Sequence, residues 1–549
     1  MRTISALLLC LVSASAPAAQ LRVGPAFAPG CTHTSLASAL AEAAGNEDSA
    51  NTIRLANSTS YNGIRIALND AKALTIEGGF ESCIDPTSDP ASPTVLNALA
   101  GDSLVRVDLA GGPGLSLVSV VLQGGDATSG GGIQIVSGTV ALDNVQVRNN
   151  RAIVGAGVAV VGGGALPSLL RIGVNARPSF IFDNAVVTGS SGLGGGVYCN
   201  AGGTVSYVSG GITGNNATFG GGIYLEDGCR LQFDGQQPAS PPVIRNNVAT
   251  LDGGALHVLR AQVSTSDDTR VFIDGNRARS GAAILAGDGS TVALRYAWIK
   301  ANTPTGVNAS VIAASGTGTS VALRGGPLHV RCENGEFCSQ LHGAGSTKGA
   351  IESISNARVE IDRVHLTGFD STFASLFART ATIRVVTSLV SGNRNTAGLF
   401  QAFDNARIEI DYGTVVANTV PAVFINANSS APPGDVMLHA SVVFNAAPLA
   451  PPTNFLRFTN GACRALVNEN ANADGVGTVS ATSGLDAQFI PLFSSGFAVD
   501  ACATEPAFAL DMLGNPRPFD APVIDVLGPM DRGAFERQSE PPLFRDGFE

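Results

Sequence analysis

Short runs of alternating apolar and polar residues recur along most of the chain, separated by Gly, Asn and Asp. Clear examples are residues 140–142, 145–147, 205–208 and 357–361. Alternation over three to five residues is typical of half-buried β-strands, and Gly, Asn and Asp mark the turns between them. Helical periodicity is absent from this part of the chain, which excludes repeats built from helix pairs. The pattern therefore predicts many short strands joined by tight turns.

The middle of the chain repeats itself. In four units an Asn-containing turn is followed by a Gly-rich turn and then by an apolar or aromatic residue. The turn asparagines are spaced 30 or 31 residues apart, at Asn184, Asn215, Asn246 and Asn276. A period of 20 to 50 residues indicates a solenoid, a propeller or another array. A propeller blade needs four longer strands in about 40 residues, whereas three short strands in about 25 to 31 residues fit one coil of a parallel β-helix.

The predicted fold class is therefore all-β, with a single right-handed parallel β-helix running from about residue 50 to 450. At about 27 residues per coil, this length gives about 15 coils. Asn tolerates the left-handed turn between strands, and its amide can bond backbone groups. We expect the four asparagines to stack as a structural turn ladder, with Val, Ile, Leu and Phe filling the core.

The two ends of the chain depart from the repeat and predict four regions. Residues 1–19 are predicted to be a signal peptide, 20–450 the β-helix with an N-terminal cap, 451–537 an irregular C-terminal cap, and 538–549 a linker and short tail. Ser35 followed by the Ala-rich residues 36–44 and Gly45 predicts a short capping helix. Both caps are expected because an open coil exposes unpaired strand edges.

The N-terminus predicts export. Arg2, an apolar stretch at residues 4–12 and Ala16-Pro17-Ala18 form the three parts of a secretory signal. The longest uncharged stretch after it, residues 152–170, contains several Gly and a Pro. This stretch does not resemble the ~20 apolar residues of a membrane helix. We therefore predict no transmembrane segment after the signal peptide.

Charge excludes one class of partner. The formal net charge is −11, charged residues make up only 14% of the chain, and no run of Lys or Arg occurs. Nucleic-acid binding is excluded on this basis, because it needs a basic patch.

Eight cysteines remain after Cys10 in the predicted signal, in a compartment where disulfides persist. Eight cysteines allow 105 connectivities. Sequential neighbours in a solenoid are also spatial neighbours, and this favours pairing in chain order. The predicted pairs are Cys31–Cys83, Cys199–Cys229, Cys332–Cys338 and Cys463–Cys502.

The Asn units and the Gly-Gly-Ile/Val-Tyr units resemble the repeats of bacterial right-handed β-helix proteins of the pectin-lyase-like superfamily, including polymorphic outer-membrane proteins. Residues 511–518 and 531–536 resemble the closing motif of β-helix proteins with a choice-of-anchor C-terminal region. Residues 543–549 resemble a short tail of exported Gram-negative proteins. The resemblance implies a β-helix that binds or cleaves polysaccharides, and a tail that acts as an export or sorting signal.

Few residues suggest catalysis. Asp267-Asp268 with nearby Arg270 is a weak candidate for a catalytic cluster, and a solvated loop is the favoured interpretation. His329, Cys332, Cys338 and His342 have the wrong spacing for a zinc site, and Asn334-Gly335 favours a disulfide-closed hairpin. We predict no catalytic residues, no metal and no cofactor.

Our function hypothesis is an exported, non-enzymatic β-helix protein, adhesin-like or surface-associated, that contacts a polysaccharide or another cell-surface ligand. The alternative is a polysaccharide lyase or glycoside hydrolase on the same scaffold. The predicted location is secreted, periplasmic or outer-surface associated in a Gram-negative bacterium. No oligomeric state is predicted.

Overall fold

The computed structural model shows a parallel β-solenoid of about 15 turns, in which helix makes up 3% of the chain. The fold class and the number of coils predicted from the sequence are confirmed. The structure describes residues 19–109, 111, 114–187, 191–235, 240–266, 269–325, 339–426, 432–450, 456–468, 477–480, 482–483, 485–487, 489–490, 491–492, 498, 501–503, 505, 510–512, 516–517 and 528–537.

Three long parallel sheets form the walls of the solenoid, and each coil passes through sheet 1, sheet 2 and sheet 3 in that order. Sheet 1 comprises Ala19–Val23, Ala50–Ala56, Ala73–Phe80, Leu115–Val118, the second half of Ile133–Asp143, Ser168–Ile172, Thr204–Tyr207, Arg230–Phe233, Gln262–Thr265, Thr291–Arg295, Ser320–Arg324, Arg358–Asp362, Thr382–Val386, Arg407–Asp411, Asp435–His439 and Arg457–Asn460. Sheet 2 comprises Tyr61–Ile64, Thr94–Ala98, Val120–Gln123, Gln146–Arg148, Ser179–Phe182, Gly210–Thr213, Pro242–Arg245, Val271–Asp274, Ala297–Lys300, Gln340–Ser346, His365–Ser371, Leu389–Ser391, Thr414–Val416, Val442–Phe444, Ala465–Asn468 and Gly477–Ser480. Sheet 3 comprises Ile66–Leu68, Val105–Asp108, the first half of Ile133–Asp143, Val158–Val161, Val197–Asn200, Ile223–Glu226, Leu256–Leu259, Ile284–Gly287, Ser310–Ser315, Gly349–Ile354, Leu376–Arg379, Phe400–Phe403 and Phe424–Ile425.

A minor sheet follows sheet 2 in seven coils. Its strands are Asp126–Ser129, Arg151–Val154, Ala185–Val186, Asn216–Ala217, Val248–Ala249, Arg277–Ala278 and Thr303–Pro304. The remaining short elements are Val174–Ala176, a single 3₁₀ turn, and the strands Arg394–Asn395, Ala501–Cys502 and Gly528–Pro529.

The core lies between the three sheets and is filled by inward side chains stacked coil on coil. In sheet 1, for example, Val205 pairs with Leu231 and Leu231 with Val263, and all three are buried. This single core extends from Leu21 to Val467. Each fully buried aliphatic side chain contributes about 1.5–3 kcal/mol relative to an exposed one, so the stack stabilises every coil against its neighbours.

Asparagines do stack into a ladder at the turn after sheet 2. Six described members run from coil to coil, at Asn150, Asn184, Asn215, Asn247, Asn276 and Asn302. From Asn184 onward, each Oδ1 accepts the backbone N–H and the Nδ2 of the asparagine before it; Asn247 Oδ1, for example, lies 3.0 Å from both donors of Asn215. These buried amides therefore satisfy one another along the axis.

The prediction for Asn246 is wrong by one residue. Asn246 is exposed and has a φ of 55°, and its neighbour Asn247 is the buried ladder member. The residue before each of these ladder positions takes the left-handed turn, and it is Asp183, Gly214 or Gly275 in three other coils. The sequence predicts the ladder asparagine itself at that turn; in the structure the residue before it takes the left-handed conformation, and this shifts the ladder position by one residue in this coil.

A second ladder supports the later coils. It joins Asn393, Asn418 and Asn445, at separations of 25 and 27 residues. Between the two ladders, the backbone N–H of Phe369 donates to Asn393 Oδ1 at 3.2 Å. The earlier separations of 26 to 34 residues show that the first coils are longer.

The Gly-rich turns let adjacent coils approach closely. Gly194 has a φ of +65°, and a Cβ on Gly195 would lie 2.6 Å from the carbonyl oxygen of Gly221 in the next coil. The first glycine is required by the turn and the second by the close approach of two backbones.

The N-terminal helix covers the first coil. The helix Leu36–Gly45 begins at Ser35, whose hydroxyl accepts the Ser38 N–H at 3.2 Å, as the sequence predicts. Leu36, Ala39 and Ala43 are buried on the solenoid core. No helix among the described residues has the length and apolar character of a membrane span.

Three of the four predicted cysteine pairs lie at disulfide distance. The Cα separations are 5.1 Å for Cys31–Cys83, 6.0 Å for Cys199–Cys229 and 5.6 Å for Cys463–Cys502. Cys199 lies near the end of the sheet 3 strand Val197–Asn200, and Cys229 precedes the sheet 1 strand Arg230–Phe233 of the following coil, so this pair meets across a turn. Cys332 and Cys338 lie outside the described residues.

The described part of the C-terminal region packs against the outer side of the last coils. Leu389, Val416, Val442 and Leu466 form an apolar surface that Ala498, Met512, Ala534 and Phe535 cover. The backbone of Gly533 donates to the Ala440 carbonyl at 2.8 Å. Sheets 1 and 2 also continue past residue 450, the boundary predicted from the sequence, to Asn460 and Ser480.

Candidate functional site

The predicted catalytic candidates do not form a described site. Asp267 and Asp268 lie outside the described residues, and Arg270 is exposed just before the sheet 2 strand Val271–Asp274. Within the described ranges, no group of three or more His, Cys, Asp or Glu side chains has an arrangement that could hold a metal ion.

The outer face of sheet 3 carries a continuous row of outward side chains, most of them large. The parallel register places them one above another, in the order Ala159, Tyr198, Tyr224, His257, Leu285, Ala313, Glu352, Phe377 and Gln401. These positions face away from the core because the residues on either side of them face inward.

The first part of this row is packed and closed. Tyr198 and Tyr224 stack with ring centroids 5.9 Å apart, and the His257 ring lies 4.8 Å from the Tyr224 ring. Their residues are only 5–6% exposed, so the rings offer little surface to a ligand. Both tyrosine hydroxyls donate to Glu226, at 2.6 and 3.4 Å. The Tyr of the Gly-Gly-Ile/Val-Tyr repeat therefore stabilises neighbouring coils from outside.

Further along the row a cavity of about 530 Å³ opens above Phe377. The centroid of the Phe373 ring lies 5.0 Å from that of the Phe377 ring, and the centroid of the Phe403 ring lies 5.7 Å from it. We call this space the Phe377 cavity; it is lined by Asn308, Glu352, Ile354, Ser355, Phe373, Phe377, Arg379, Gln401 and Phe403. Its volume and aromatic lining are typical of a site for a small molecule or for one unit of a larger ligand.

Charged groups stand at one side of the cavity. Burial raises the pKa of the Glu352 carboxyl, and the nearby Arg379 guanidinium opposes this without outweighing it. Arg379 lies over the Phe377 and Phe403 rings, at 5.9 and 6.0 Å, and its Nε is 3.1 Å from Asp404 Oδ2. The positive charge of Arg379 is therefore already paired.

Polar groups that have no hydrogen-bond partner among the described residues complete the lining of the Phe377 cavity. Within the described residues, the Glu352 carboxylate has neither a hydrogen bond nor an ion pair, and the Gln401 and Asn308 amides have no hydrogen bond. Glu352 and Gln401 flank Phe377 by one coil on each side. Groups of this kind, facing a cavity without protein partners, can bind polar atoms of a ligand at little cost.

The charged exterior of sheet 1 is a different surface. Arg384 approaches Glu360 at 3.8 Å and Asp411 at 2.8 Å, and Glu360 also pairs with Arg324 and Arg358 at 3.1 Å. Burial raises the pKa of Glu360, but the bonds and charges of Arg324 and Arg358 outweigh it and hold the pKa below its ordinary value. Such carboxylates stay ionised, and general-acid catalysis needs a carboxyl that keeps its proton.

A buried histidine joins the C-terminal region to the solenoid. His439 Nδ1 lies 3.4 Å from Asp411 Oδ1, and its Nε2 lies 2.9 Å from Glu505 Oε1. Burial lowers the pKa of His439, but its bonds and charges with Asp411 and Glu505 outweigh burial and raise the pKa above its ordinary value.

This cluster predicts a pH-dependent attachment. Because the pKa of His439 is raised in the folded protein, its stabilising contribution is complete below the unfolded value of about 6.5 and is lost as the pH rises through the folded value. We expect hydrogen-exchange protection of residues 501–503, 505 and 528–536, corrected for intrinsic rates, to fall between pH 6 and pH 8. A His439→Gln variant should lose this dependence, and an unchanged profile in that variant would contradict the assignment.

Sequence reasoning missed the Phe377 cavity, because it looked for clusters of acidic residues close together in the chain. The available signal is the middle, outward residue of the strand segments at residues 351–353, 376–378 and 400–402. Comparisons with protein-family models, curated proteins and solved structures found no match to the chain.

Proposed function

We propose that the protein is an exported, non-enzymatic β-helix protein, adhesin-like or surface-associated, that contacts glycans through the Phe377 cavity. The observation that carries the proposal is the combination of three Phe rings with uncommitted carboxylate and amide groups in one open cavity. A sugar ring presents C–H faces that pack on aromatic rings and hydroxyls that need hydrogen-bond partners. The cavity supplies both kinds of contact.

Export rests on the N-terminal sequence and on the cysteines. Three cysteine pairs at disulfide distance fit an oxidising compartment. The resemblance to pectin-lyase-like β-helix proteins supports the same assignment, and it makes polysaccharides and cell-surface glycans the first ligands to test.

We expect Phe377→Ala to weaken glycan binding by about 1–2 kcal/mol, roughly five- to thirtyfold, because one stacking ring is lost. The measurement is binding of the wild-type and variant proteins to a glycan array, followed by titration of the best ligand. The matched control is Phe180→Ala, which removes a 38% exposed ring from the outer face of sheet 2. Equal loss in both variants, or no array ligand sensitive to Phe377, would refute the proposal.

One observation favours the enzymatic alternative. Glu352 has a raised pKa and faces a cavity, which suits a general acid. Glycoside hydrolysis also needs a second free carboxyl about 5–9.5 Å away, and Asp404 is committed to Arg379. We expect no turnover on pectic, alginate and other glycan substrates, with or without Ca²⁺. Turnover that Glu352→Gln abolishes would establish the enzyme.

A further inference from the structure

The charges around the Phe377 cavity do not cancel. Arg379 is the cationic residue in the lining, and Asp404 pairs with it at 3.1 Å. Glu352 has no ion pair or hydrogen bond within the described residues and lies beside the same aromatic rings. The cavity is therefore lined by one carboxylate that no side chain of the described residues pairs directly, while the charge of Arg379 acts on it from nearby.

We infer that the Phe377 cavity binds an amino sugar, with the ammonium group against Glu352 and the sugar ring against the Phe rings. The inference rests on the proposed function for the sugar, and on the charge of the cavity for the amine. A cation that enters would supply the partner that Glu352 lacks, and a charge-assisted contact at a partly buried carboxylate is strong.

The aromatic lining favours the same charge. Arg379 already places its guanidinium about 6 Å from the Phe377 and Phe403 centroids, within the range of a cation–π contact. The ring faces are therefore suited to positive charge. The Phe373 ring, 5.0 Å from Phe377, adds a third face to this part of the lining.

A sugar carboxylate would be disfavoured by the same groups. It would lie near Glu352, and like charges repel more strongly where water is partly excluded. Arg379 is not free to pair with the sugar carboxylate, because its guanidinium already pairs with Asp404. A neutral N-acetyl sugar meets no repulsion but gains no ion pair. The expected order of affinity is amino sugar, then neutral sugar, then uronic acid.

The opposite side of the cavity suits hydroxyl groups. Gln401 lies two coils from Glu352 in register, a Cα separation on the order of 10 Å. Its amide can donate to one hydroxyl and accept from another. A sugar ring lying over Phe377 would thus have its amine directed to Glu352 and its far hydroxyls to Gln401.

The test titrates the protein with the methyl glycosides of glucosamine, N-acetylglucosamine and glucuronic acid at low salt and about pH 6.5, where the sugar amine is mostly protonated. We expect glucosamine to bind at least about tenfold more tightly than N-acetylglucosamine, and glucuronic acid to bind most weakly. In Glu352→Gln, which keeps the shape of the side chain, the preference should fall to within about twofold. Glu81→Gln, at an exposed position outside the cavity, should retain it.

Lowering the pH should reduce the preference for glucosamine in the same way as the Glu352→Gln variant, because both remove the negative charge of Glu352. Because the pKa of Glu352 is raised by burial, the carboxylate takes up a proton at a higher pH than an ordinary Glu. Arg379, on the adjacent strand, opposes this rise, and Asp404 lies behind Arg379. Below about pH 6.5, where the sugar amine is already protonated, the glucosamine preference should therefore decline as the pH falls in the wild type, and Glu352→Gln should show no such decline.

The outcomes separate this inference from the proposed function. Tighter binding of N-acetylglucosamine or glucuronic acid, or a preference for glucosamine that survives in Glu352→Gln, would overturn the amino-sugar assignment and leave glycan binding standing. Failure of all three glycosides, combined with a glycan array that shows no Phe377-dependent ligand, would overturn both.

Discussion

Replacing Asn215 by alanine is expected to destabilise the solenoid by about 3–6 kcal/mol. The buried Asn215 amide donates to the Ile181 carbonyl at 2.9 Å and to Asn247 Oδ1 at 3.0 Å. Its Oδ1 accepts the backbone N–H and the Nδ2 of Asn184, at 3.1 and 3.0 Å. Alanine would leave at least two or three buried groups without partners, at about 1–3 kcal/mol each.

The neighbouring residue provides a matched control. Asn216 is exposed and lies in the minor strand Asn216–Ala217. Asn216→Ala should change stability by less than about 0.5 kcal/mol. Urea denaturation gives the loss for each variant, and hydrogen exchange should place it in the coils that flank Asn215, because coils of a solenoid interact mainly with their neighbours. Similar losses in the two variants would show that the ladder contributes little.

The ladder also shows how far sequence spacing can determine register. Arg245 is followed by two asparagines, and spacing alone does not choose between Asn246 and Asn247. The backbone supplies the rule, since the ladder asparagine follows a left-handed residue. Aligning Gly214 and Gly275 with Asn246 would have selected Asn247, because glycine most readily adopts that conformation.

The fold was predictable because each coil repeats the same local chemistry. Alternating apolar residues set the strands, Gly and Asn set the turns, and cysteine order gave three pairs that the structure places at disulfide distance. The Phe377 cavity was not predictable in the same way. Glu352, Phe377 and Gln401 come from three coils, and Asn308 comes from a loop of an earlier coil. Coil lengths vary, so their register could not be counted from the sequence.

The packing of the C-terminal region was also beyond the sequence. Cys463 and Cys502 suggested a cross-link, but nothing in the spacing indicated that Arg517 and Glu536 would be buried beside Tyr412. Contacts between residues about 100 positions apart depend on how the last coils and the C-terminal region fit together, and no local pattern encodes that fit.

We expect Arg517→Ala to weaken attachment of the C-terminal region by about 3–5 kcal/mol. The Arg517 and Glu536 side chains are fully buried, with Nε and Oε2 3.7 Å apart. Arg517 Nη2 donates to the Gly533 carbonyl at 2.7 Å, and its guanidinium lies 4.7 Å from the Tyr412 ring centroid. Removing the cation takes the Arg517 charge away from the buried Glu536 carboxylate, which still accepts the Asp531 N–H at 3.1 Å, and breaking a buried ion pair in this way is strongly destabilising.

Two further variants distinguish this buried pair from ordinary surface charge. Arg457→Ala breaks an ion pair with Asp435 whose side chains are 59% and 39% exposed, and should cost less than about 1 kcal/mol. The double variant Arg517→Met with Glu536→Gln removes both charges of the pair and should recover part of the loss; the nearby Asp511 and Asp531, which Arg517 also faces, keep their charges. Hydrogen exchange of residues 528–537 reports attachment, while protection around Asn215 should stay unchanged. If Arg517→Ala exposed both regions equally, or if the double variant recovered nothing, the ion pair would not be what fastens the C-terminal region to the solenoid.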